Sequence, residues 1–443
     1  MEAILRKSNE LRKVKITPDF TEMAAGSVLI ECGRTRVLCT ASVVENVPPF
    51  KRGTGCGWLT AEYAMLPGST TSRKERDGIK KDGRSVEIQR LIGRSLRAAV
   101  DLTRLGERTI YIDCDVLQAD GGTRTASITG SFAALTIACN KLLKQGLIQD
   151  SPIIKQVAAI SVGIVNNVPT LDLEYVQDSH AQVDMNVVMT RDLDGNMEYV
   201  EVQGTGEGRS FTRKELDTLL NLAQNGIKQL MKKQLAALKE RADIIGKKPT
   251  LVVATHNFGK LREMKGLLGD KFEVISQSEA GCDIEVEETG ETFEENALIK
   301  AKALMEATHR ATVADDSGLT VEALDGRPGV HSARYCGVHG DDEANNQKLL
   351  KELENVPAPR KASYECAIAL CRPGKEPIVV HGSVGGSIGY EYKGTHGFGY
   401  DPLFIADELG ITFGEAEDEE KAKISHRARA INALLEQLSK END

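Results

Sequence analysis

The sequence predicts an α/β protein of two domains, and three observations carry that prediction. At 443 residues the chain is longer than a single domain usually is. Its charge is unevenly placed: residues 1–246 hold 33 Lys and Arg against 30 Asp and Glu, while residues 247–443 hold 23 against 35, so the net −9 divides into +3 and −12. Between the halves, a helical pattern over 213–240 gives way to "RADIIGKKPT", and "LVVAT" followed by "HNFGK" then starts a new strand, turn and helix. Domains are therefore expected at 1–246 and 247–443.

In the first domain, "GSVLIECGRTRVLCTASVV" reads as a hairpin turning near Gly33 and Arg34, and "RTIYIDCDVLQ" as a strand. "SITGSFAALTIACNKLLKQ" reads as a helix, and "VAAISVGIVNNVPTLDLEY" as a second hairpin turning at Asn166-Asn167. The second domain alternates more regularly. Strands are expected at 250–254, 272–276, 311–314, 363–371, 377–384 and 402–405, with helices at 259–268, 292–308, 341–354 and 426–440.

Composition is that of an ordinary globular protein, 27% charged and 41% hydrophobic. No apolar run approaches the ~20 residues that span a bilayer, and "MEAILRKSNE" has no signal-peptide pattern. Nine cysteines without a CxxC spacing point to reduced thiols rather than to a disulfide framework or a zinc site. A cytoplasmic protein with no membrane partner is expected.

The first domain carries two chemical signals. In "QADGGTRTASITG", Gly121 and Gly122 allow close backbone approach at a helix start, Thr123 and Thr125 add hydroxyl donors, and Arg124 adds a planar fork. That is a phosphate cradle, or equally a capped turn with a surface arginine. Residues 73–97 hold nine basic residues against four acids, with Arg90, Arg94 and Arg97 on one helical face. Such a stripe suits an RNA backbone, and a solvated face is the plainer alternative. Asp172, Glu174, Asp178 and Asp184 fall within 13 residues, and Asp178 and Asp184 flank the start of a strand, either placed to hold a divalent cation, or with Asp178 capping the turn at Ser179 and Asp184 paired with an arginine.

With "GWLTAEYAMLPGST", "GRSVEIQRLIGRSLRAAVDL" and "DLEYVQDSHAQVDMNVVMT", these stretches resemble ribonuclease PH over about residues 6–240. The resemblance implies an α/β fold, a hexameric ring and phosphate-dependent 3′-to-5′ trimming of tRNA 3′ ends. It implies inorganic phosphate on Arg84, Gly122, Thr123 and Arg124, an essential acidic pair in Asp178 and Asp184 with Mg²⁺, and loop arginines Arg73 and Arg76 on the tRNA. Gly68 stands where relatives carry a further RNA-binding arginine.

In the second domain, "TVADDSGLTVEAL" delivers Asp315 and Asp316 from a strand into a Ser-Gly turn, and adjacent carboxylates there call for a metal or a partner. "HNFGK" puts Lys260 at a helix start but lacks the spacing of a P-loop. In "THGFGYDPLF", Phe398 or Tyr400 is suited to stack on a base, or equally to pack in a core.

"THNFGK", "EETGETFEENALIKA", "ADDSGL", "GVHSARY", "HGFGYDPLF" and "EEKAKISHR" together resemble the inosine/xanthosine triphosphate pyrophosphatase family over about 249–440. The resemblance implies a mixed α/β fold, a dimer, and Mg²⁺-dependent hydrolysis of ITP, dITP and XTP to the monophosphate and pyrophosphate. It implies a nucleotide-binding turn of Thr255, His256, Asn257, Phe258, Gly259 and Lys260. It implies metal on Glu287 and Asp316, with Asp316 also the base for the attacking water. Substrate contacts are implied at Ser317, Phe398, Gly399, Tyr400, Asp401, Lys421, His426 and Arg427. "HGSVGGSIG" at 381–389 lacks a tryptophan found in some relatives.

The sequence thus points to a fusion of a phosphorolytic RNase and a nucleotide-pool hydrolase. The alternatives are a non-catalytic RNA-binding ring for the first half, and a pyrimidine triphosphate pyrophosphatase or nucleotide sensor for the second.

Overall fold

The computed structural model describes residues 6–75 and 82–440. The chain divides into two compact units, Met1–Lys247 and Lys248–Asp443.

The N-terminal unit is built on two sheets. Strands β1 (Val14–Pro18), β2 (Gly26–Cys32), β3 (Thr35–Val44), β4 (Trp58–Met65) and β5 (Thr109–Gln118) form the first, in the order β1-β2-β3-β5-β4, antiparallel except for the parallel β4–β5 pair. Helix α1 (Gly83–Arg97) packs on β4, and helix α2 (Thr123–Lys144) follows β5. Strands β6 (Gln156–Val165), β7 (Val168–Leu171), β8 (Val183–Arg191) and β9 (Met197–Thr205) form the second sheet, antiparallel throughout in the order β7-β6-β8-β9. The short helix α3 (Tyr175–Asp178) lies between β7 and β8, and α4 (Arg213–Leu238) packs on β6 and β7.

The turn between β2 and β3 falls at Gly33-Arg34, and that between β6 and β7 at Asn166-Asn167. Both asparagines have positive φ, at 50° and 63°, which a two-residue hairpin loop requires. Helix α2 meets β2 and β3 of one sheet and β6 of the other, which is why its sequence is apolar or small nearly all round. Among the described residues it is also the one helix long and apolar enough to cross a membrane, but it is buried within this unit.

The C-terminal unit is a three-layer sandwich. Its elements are β10 (Thr250–Val253), α5 (Phe258–Leu268), β11 (Glu273–Ser276), α6 (Phe293–Thr308), β12 (Thr312–Val321), α7 (Asp342–Glu352), β13 (Lys361–Cys371), β14 (Ile378–Ile388), β15 (Phe404–Ala406), α8 (Asp418–Ile424) and α9 (His426–Lys440). The sheet order is β11-β10-β12-β13-β14-β15, with β10 parallel to both neighbours and the remaining pairs antiparallel. Side-chain alternation divides the core. Leu251, Val253 and Val313 face α5 and α9, while Val252, Ala254 and Ala314 face α6.

One element departs from the sequence reading in a way that matters. The strand expected at 311–314 runs on to Val321, because ten residues of it pair with β13. Asp315 and Asp316 therefore lie inside a central strand and not in a Ser-Gly turn. Helix α8 was not anticipated at all; a capping box between Glu417 and Glu420 starts it.

Candidate functional sites

In the N-terminal unit the candidate site gathers where α2, α3 and β8 begin or end. Gly122 precedes α2 with φ 64° and offers no side-chain cap, and the first turn of α2 holds no acidic residue. Among the described residues no hydrogen bond within the fold occupies the amides of Gly121 and Gly122. Such a helix start favours an anion.

Thr123 Oγ1 accepts from Tyr63 Oη at 2.9 Å, which fixes the threonine at the mouth of the helix. Arg124 is steered by Gln203 Oε1 at 3.2 Å and by Glu87 at 3.6 Å. Gln203 is itself held by Glu201, which pairs with Arg94. Arg84 sits exposed in the first turn of α1, beginning after the N-cap Asp82.

Asp178 closes α3 and Asp184 is the second residue of β8, and their carboxyl groups meet. Burial raises the pKa of both. For Asp178 the nearby charges of Arg84 and Arg124 oppose the rise. For Asp184 the charge of Asp178 adds to burial, and its pKa is pushed up to about 6. Asp184 Oδ1 is buried with no hydrogen-bond partner. A half-buried carboxyl pair with an open oxygen, facing two guanidinium groups, suits a divalent cation beside a phosphate.

The other acids of that cluster are structural. Asp172 is buried against Arg12, and Glu174 forms the capping box of α3 with Gln177. Arg97 also differs from expectation. Its guanidinium turns inward, donating to the Leu59 carbonyl at 2.9 Å and lying 4.9 Å over the Trp58 ring, because α1 packs that side on β4. It leaves the expected basic stripe, while Arg90 and Arg94 remain exposed. Arg73 is exposed; Arg76, with Lys80 and Lys81, lies outside the described residues.

In the C-terminal unit, the alternation of β12 sends the two adjacent carboxylates to opposite faces of the sheet. Asp315 points to the α5/α9 side, where Lys260 Nζ lies at 3.1 Å and Arg427 Nη2 at 2.9 Å. Burial opposes its ionisation, but Lys260, Arg427 and Lys300 outweigh that and hold it far below the usual carboxylate range. Asp316 points to the α6 side, 3.5 Å from Lys300 Nζ, with Oδ2 buried and unpartnered. Burial raises its pKa in spite of Lys300 and Lys260.

The two aspartates thus do not share a site as neighbours. Lys260 and Arg427 both meet Asp315 at Oδ2, leaving its Oδ1 buried without a partner, and the acid whose pKa stays raised is Asp316. Lys300 also holds Glu288 Oε1 at 2.7 Å. Glu288 is therefore the acid tied to Asp316 through a common cation, while Glu287 is exposed and lines the same cavity. Among the described residues no group of three or more His, Cys, Asp or Glu side chains gathers. The acids suit Mg²⁺, which takes one or two carboxylates and leaves its other positions to water and substrate phosphate.

Two cavities open beside the first turns of α5. One of about 660 Å³ is lined by Thr255, His256, Asn257, Lys260, Glu287, Glu288, Lys300, Asp316, Ser317 and Arg334. Asn257 caps α5 by accepting from the Lys260 amide at 3.1 Å, so the turn and the lysine are set together. The second, of about 280 Å³, is lined by Gly259, Glu263, Phe398, Lys421 and Ser425 among others. Lys421 Nζ lies 4.9 Å over the Phe398 ring and 2.7 Å from Asp401.

His426 and Arg427, both expected at the substrate, are buried and line neither cavity. His426 stacks on Tyr364 with centroids 4.7 Å apart, and its Nδ1 is unpartnered. Burial, reinforced by Arg427 and Lys421, lowers its pKa and keeps it neutral. Arg427 bridges Asp315 and Glu263.

Four further expected nucleotide contacts are placed otherwise. Phe258 is 86% exposed at the start of α5 and lines neither cavity. Gly399 is held to α7, its amide donating to Asp342 and its carbonyl accepting from Asn346, both at 2.8 Å. Tyr400 is a core residue whose hydroxyl donates to the Ser332 carbonyl at 2.8 Å. Asp401 is 2% exposed and spends its carboxylate on the Phe398 amide, Lys421 and Tyr364. It orients the aromatic and the lysine that line the smaller cavity. Sequence alone also gives no role to Tyr63, Gln203, Glu263, Lys300 or Arg334, although Tyr63, Lys300 and Arg334 lie within the motifs that carry the two resemblances.

Comparison with known proteins agrees with this division. The 3′ exoribonuclease family matches by its domain 1 over residues 10–140 and its domain 2 over 155–226, and the Ham1 family over 251–437. Ribonuclease PH of Syntrophomonas wolfei is 57% identical over 235 residues, 53% of this chain and 97% of that protein. The Ham1 protein of Staphylococcus aureus is 44% identical, covering 43% of this chain and 99% of its own, with a TM-score of 0.40. A nucleoside-triphosphatase, or dITP/XTP pyrophosphatase, of Mycobacterium abscessus is 45% identical over 42% of this chain and 98% of its own, with a TM-score of 0.37. The chain therefore belongs to two enzyme families at once: to ribonuclease PH, the phosphorolytic 3′ exoribonucleases, through its N-terminal half, and to Ham1, the nucleoside triphosphate pyrophosphatases, through its C-terminal half.

Proposed function

We propose that the N-terminal unit trims tRNA 3′ ends by phosphorolysis, and that the C-terminal unit hydrolyses ITP, dITP and XTP to the monophosphate and pyrophosphate. The observation that carries this reading is the pairing, in each unit, of fixed cations with a carboxylate that is buried and unpartnered on one oxygen: Asp184 with Arg124, next to Asp178 with Arg84 and Arg124, and Asp316 with Lys300 and Lys260.

In phosphorolysis, inorganic phosphate attacks the last phosphodiester and releases a nucleoside diphosphate. Two anions must meet, and their repulsion at ~4 Å is about 1 kcal/mol in water but several at the lower effective dielectric of a site. Arg124, the open amides of Gly121 and Gly122, and Arg84 offset that repulsion and aim the nucleophile. Arg73, Arg76, Arg90 and Arg94 hold the RNA backbone. Asp178 and Asp184 would hold Mg²⁺, whose charge neutralises phosphate oxygens when bound.

In the pyrophosphatase, the triphosphate lies in the larger cavity along Thr255, Asn257, Lys260 and Ser317, and the base in the smaller one against Phe398. Asp316 Oδ2, its pKa raised, accepts a proton from the attacking water. Asp316 with Glu288 or Glu287 would hold Mg²⁺, which supplies charge for a substrate entering a unit of net −12. The 6-oxo group of a deaminated purine accepts hydrogen bonds, so the Lys421 donor at the smaller cavity matches it and leaves adenine mispaired. A hexameric ring through the first unit, a dimer through the second and a cytoplasmic location complete the reading.

The test is full-length protein on a tRNA precursor with and without inorganic phosphate, and on ITP against ATP and GTP. Phosphate-dependent shortening and a preference for ITP are expected. Trimming without phosphate, or equal use of ATP, overturns the corresponding half.

A further inference from the structure

We propose that Arg12 is a positioning residue for the phosphate-binding loop, acting through a buried ion pair with Asp172. The inference rests on the phosphorolytic reading of the N-terminal unit. In sequence Arg12 is one basic residue among Lys7, Lys13 and Lys15. In the fold it is 7% exposed and Asp172 is 4% exposed.

Arg12 Nη2 meets Asp172 Oδ1 at 2.6 Å, and Asp172 Oδ2 accepts from the Arg12 amide at 2.8 Å. Both terminal nitrogens also reach the loop, while Nε is buried without a partner. Nη1 donates to the Asp120 carbonyl at 2.7 Å, and both terminal nitrogens reach the Gly121 carbonyl at 3.4 Å. A buried ion pair is a poor source of stability, since desolvation cancels most of its attraction. A rigid fork on two successive carbonyls does something else: it fixes two peptide planes. In a trans peptide the N–H points opposite to the C=O. Carbonyls 120 and 121 anchored on Arg12 therefore turn the amides of Gly121 and Gly122 away from it, and those amides have no partner in the fold among the described residues.

The same pair ties the loop to the acid. A Cβ on Gly122 would lie 3.0 Å from Arg12 Nη2, and one on Gly121 would lie 2.6 Å from the Leu173 carbonyl oxygen and 2.8 Å from the Tyr175 nitrogen. Loop 120–122 is thus wedged between Arg12 and the segment that leaves Asp172 and enters α3, the helix ending in Asp178. Asp172 itself has φ 56°, a left-handed conformation that its pairing with Arg12 holds in place. Thr35 Oγ1 also holds this loop, donating to the Gly121 carbonyl at 2.7 Å and accepting from the Asp120 amide at 2.9 Å, but among the described residues only Arg12 joins it to Asp172 and so to the spacing from loop to Asp178.

The test uses the full chain with Arg12→Lys and the double variant Arg12→Met/Asp172→Asn, which removes both buried charges and leaves neither unpaired. Phosphate binding is read by calorimetry with inorganic phosphate alone, and phosphorolysis by separate KM values for phosphate and RNA. The double variant is expected to lose about tenfold or more in phosphate affinity and to raise the phosphate KM alike, with the RNA KM within about twofold of wild type. Arg12→Lys, which keeps the charge but not the fork, is expected to lie between. If the double variant does not fold, Arg12→Lys alone decides, supporting the role when its phosphate KM rises about threefold or more with the RNA KM unchanged. Phosphate affinity unchanged in a folded variant, or phosphate and RNA KM rising together, overturns the role. Wild-type protein that binds phosphate but does not trim RNA overturns the phosphorolytic reading instead, and the calorimetric comparison still decides the role of Arg12.

Discussion

Asp178 and Asp184 reach each other across the gap between α3 and β8, and one oxygen of Asp184 is buried there without a hydrogen-bond partner. Two carboxyl groups held this way cannot both ionise freely. With its pKa near 6, Asp184 favours the folded state when protonated, so its contribution to stability is complete below the ordinary aspartate value near 3.8 and is lost as pH rises through about 6. Metal-free protein should therefore lose stability between about pH 4 and 6, by on the order of 3 kcal/mol. Asp184→Asn should flatten that slope, and urea unfolding at a series of pH values measures it. Added Mg²⁺ should displace a proton near pH 6, detectable as buffer-dependent heat of binding.

Arg124 is aimed by Gln203 and Glu87 toward the mouth of α2. Arg124→Ala should lower phosphate-dependent trimming by about 10²–10³-fold, the usual loss for an aimed donor to a reacting anion. Gln203→Ala should cost less, about tenfold, appearing mainly in the phosphate KM. ITP hydrolysis should be unchanged in both.

Asp316 and Asp315 differ in role although they adjoin. Asp316→Asn removes the open oxygen and should abolish ITP hydrolysis while the protein stays folded. Asp315→Asn leaves Lys260 and the fully buried Arg427 short of their counter-ion and should destabilise the C-terminal unit by about 3 kcal/mol or more. Thermal unfolding of the two variants separates these outcomes.

Tyr400 and Lys421 make a second contrast. Tyr400→Phe removes one buried hydrogen bond to Ser332 and should cost about 1 kcal/mol of stability with the KM for ITP unchanged. Lys421→Ala should raise that KM and erode the preference for ITP over ATP, because its ammonium lines the smaller cavity.

Arg97→Ala should weaken the packing of α1 on β4 by about 1–2 kcal/mol through loss of the Trp58 and Leu59 contacts. It should leave the salt dependence of RNA binding unchanged, whereas Arg90→Ala should reduce the slope by about one unit.

Much of this was legible in the sequence. Hairpin turns at Gly33-Arg34 and Asn166-Asn167 declare themselves by residue type, and the strand–turn–helix at 250–268 by its period and its Asn257 cap. What stayed hidden depends on partners distant in the chain. β12 runs past Ser317-Gly318 because β13, some 50 residues on, pairs with it, and only that extension shows Asp315 and Asp316 pointing to opposite faces. Glycine-rich "HGFGYD" announces an irregular turn, but not that Tyr400 folds inward while Phe398 stays at the cavity. Arg97 reads as part of a basic stripe because a helical period cannot show that Trp58 lies under it. Arg12 carries no local signal at all, since its meaning comes from Asp172 and Gly121, both more than 100 residues away.

The most direct test of two separate anion-handling sites is a crossed assay on Arg124→Ala and Asp316→Asn full-length proteins, each measured for phosphate-dependent tRNA trimming and for ITP hydrolysis. Independent sites give one lost activity per variant, with the other within about twofold of wild type. Loss of both activities in either folded variant would contradict them.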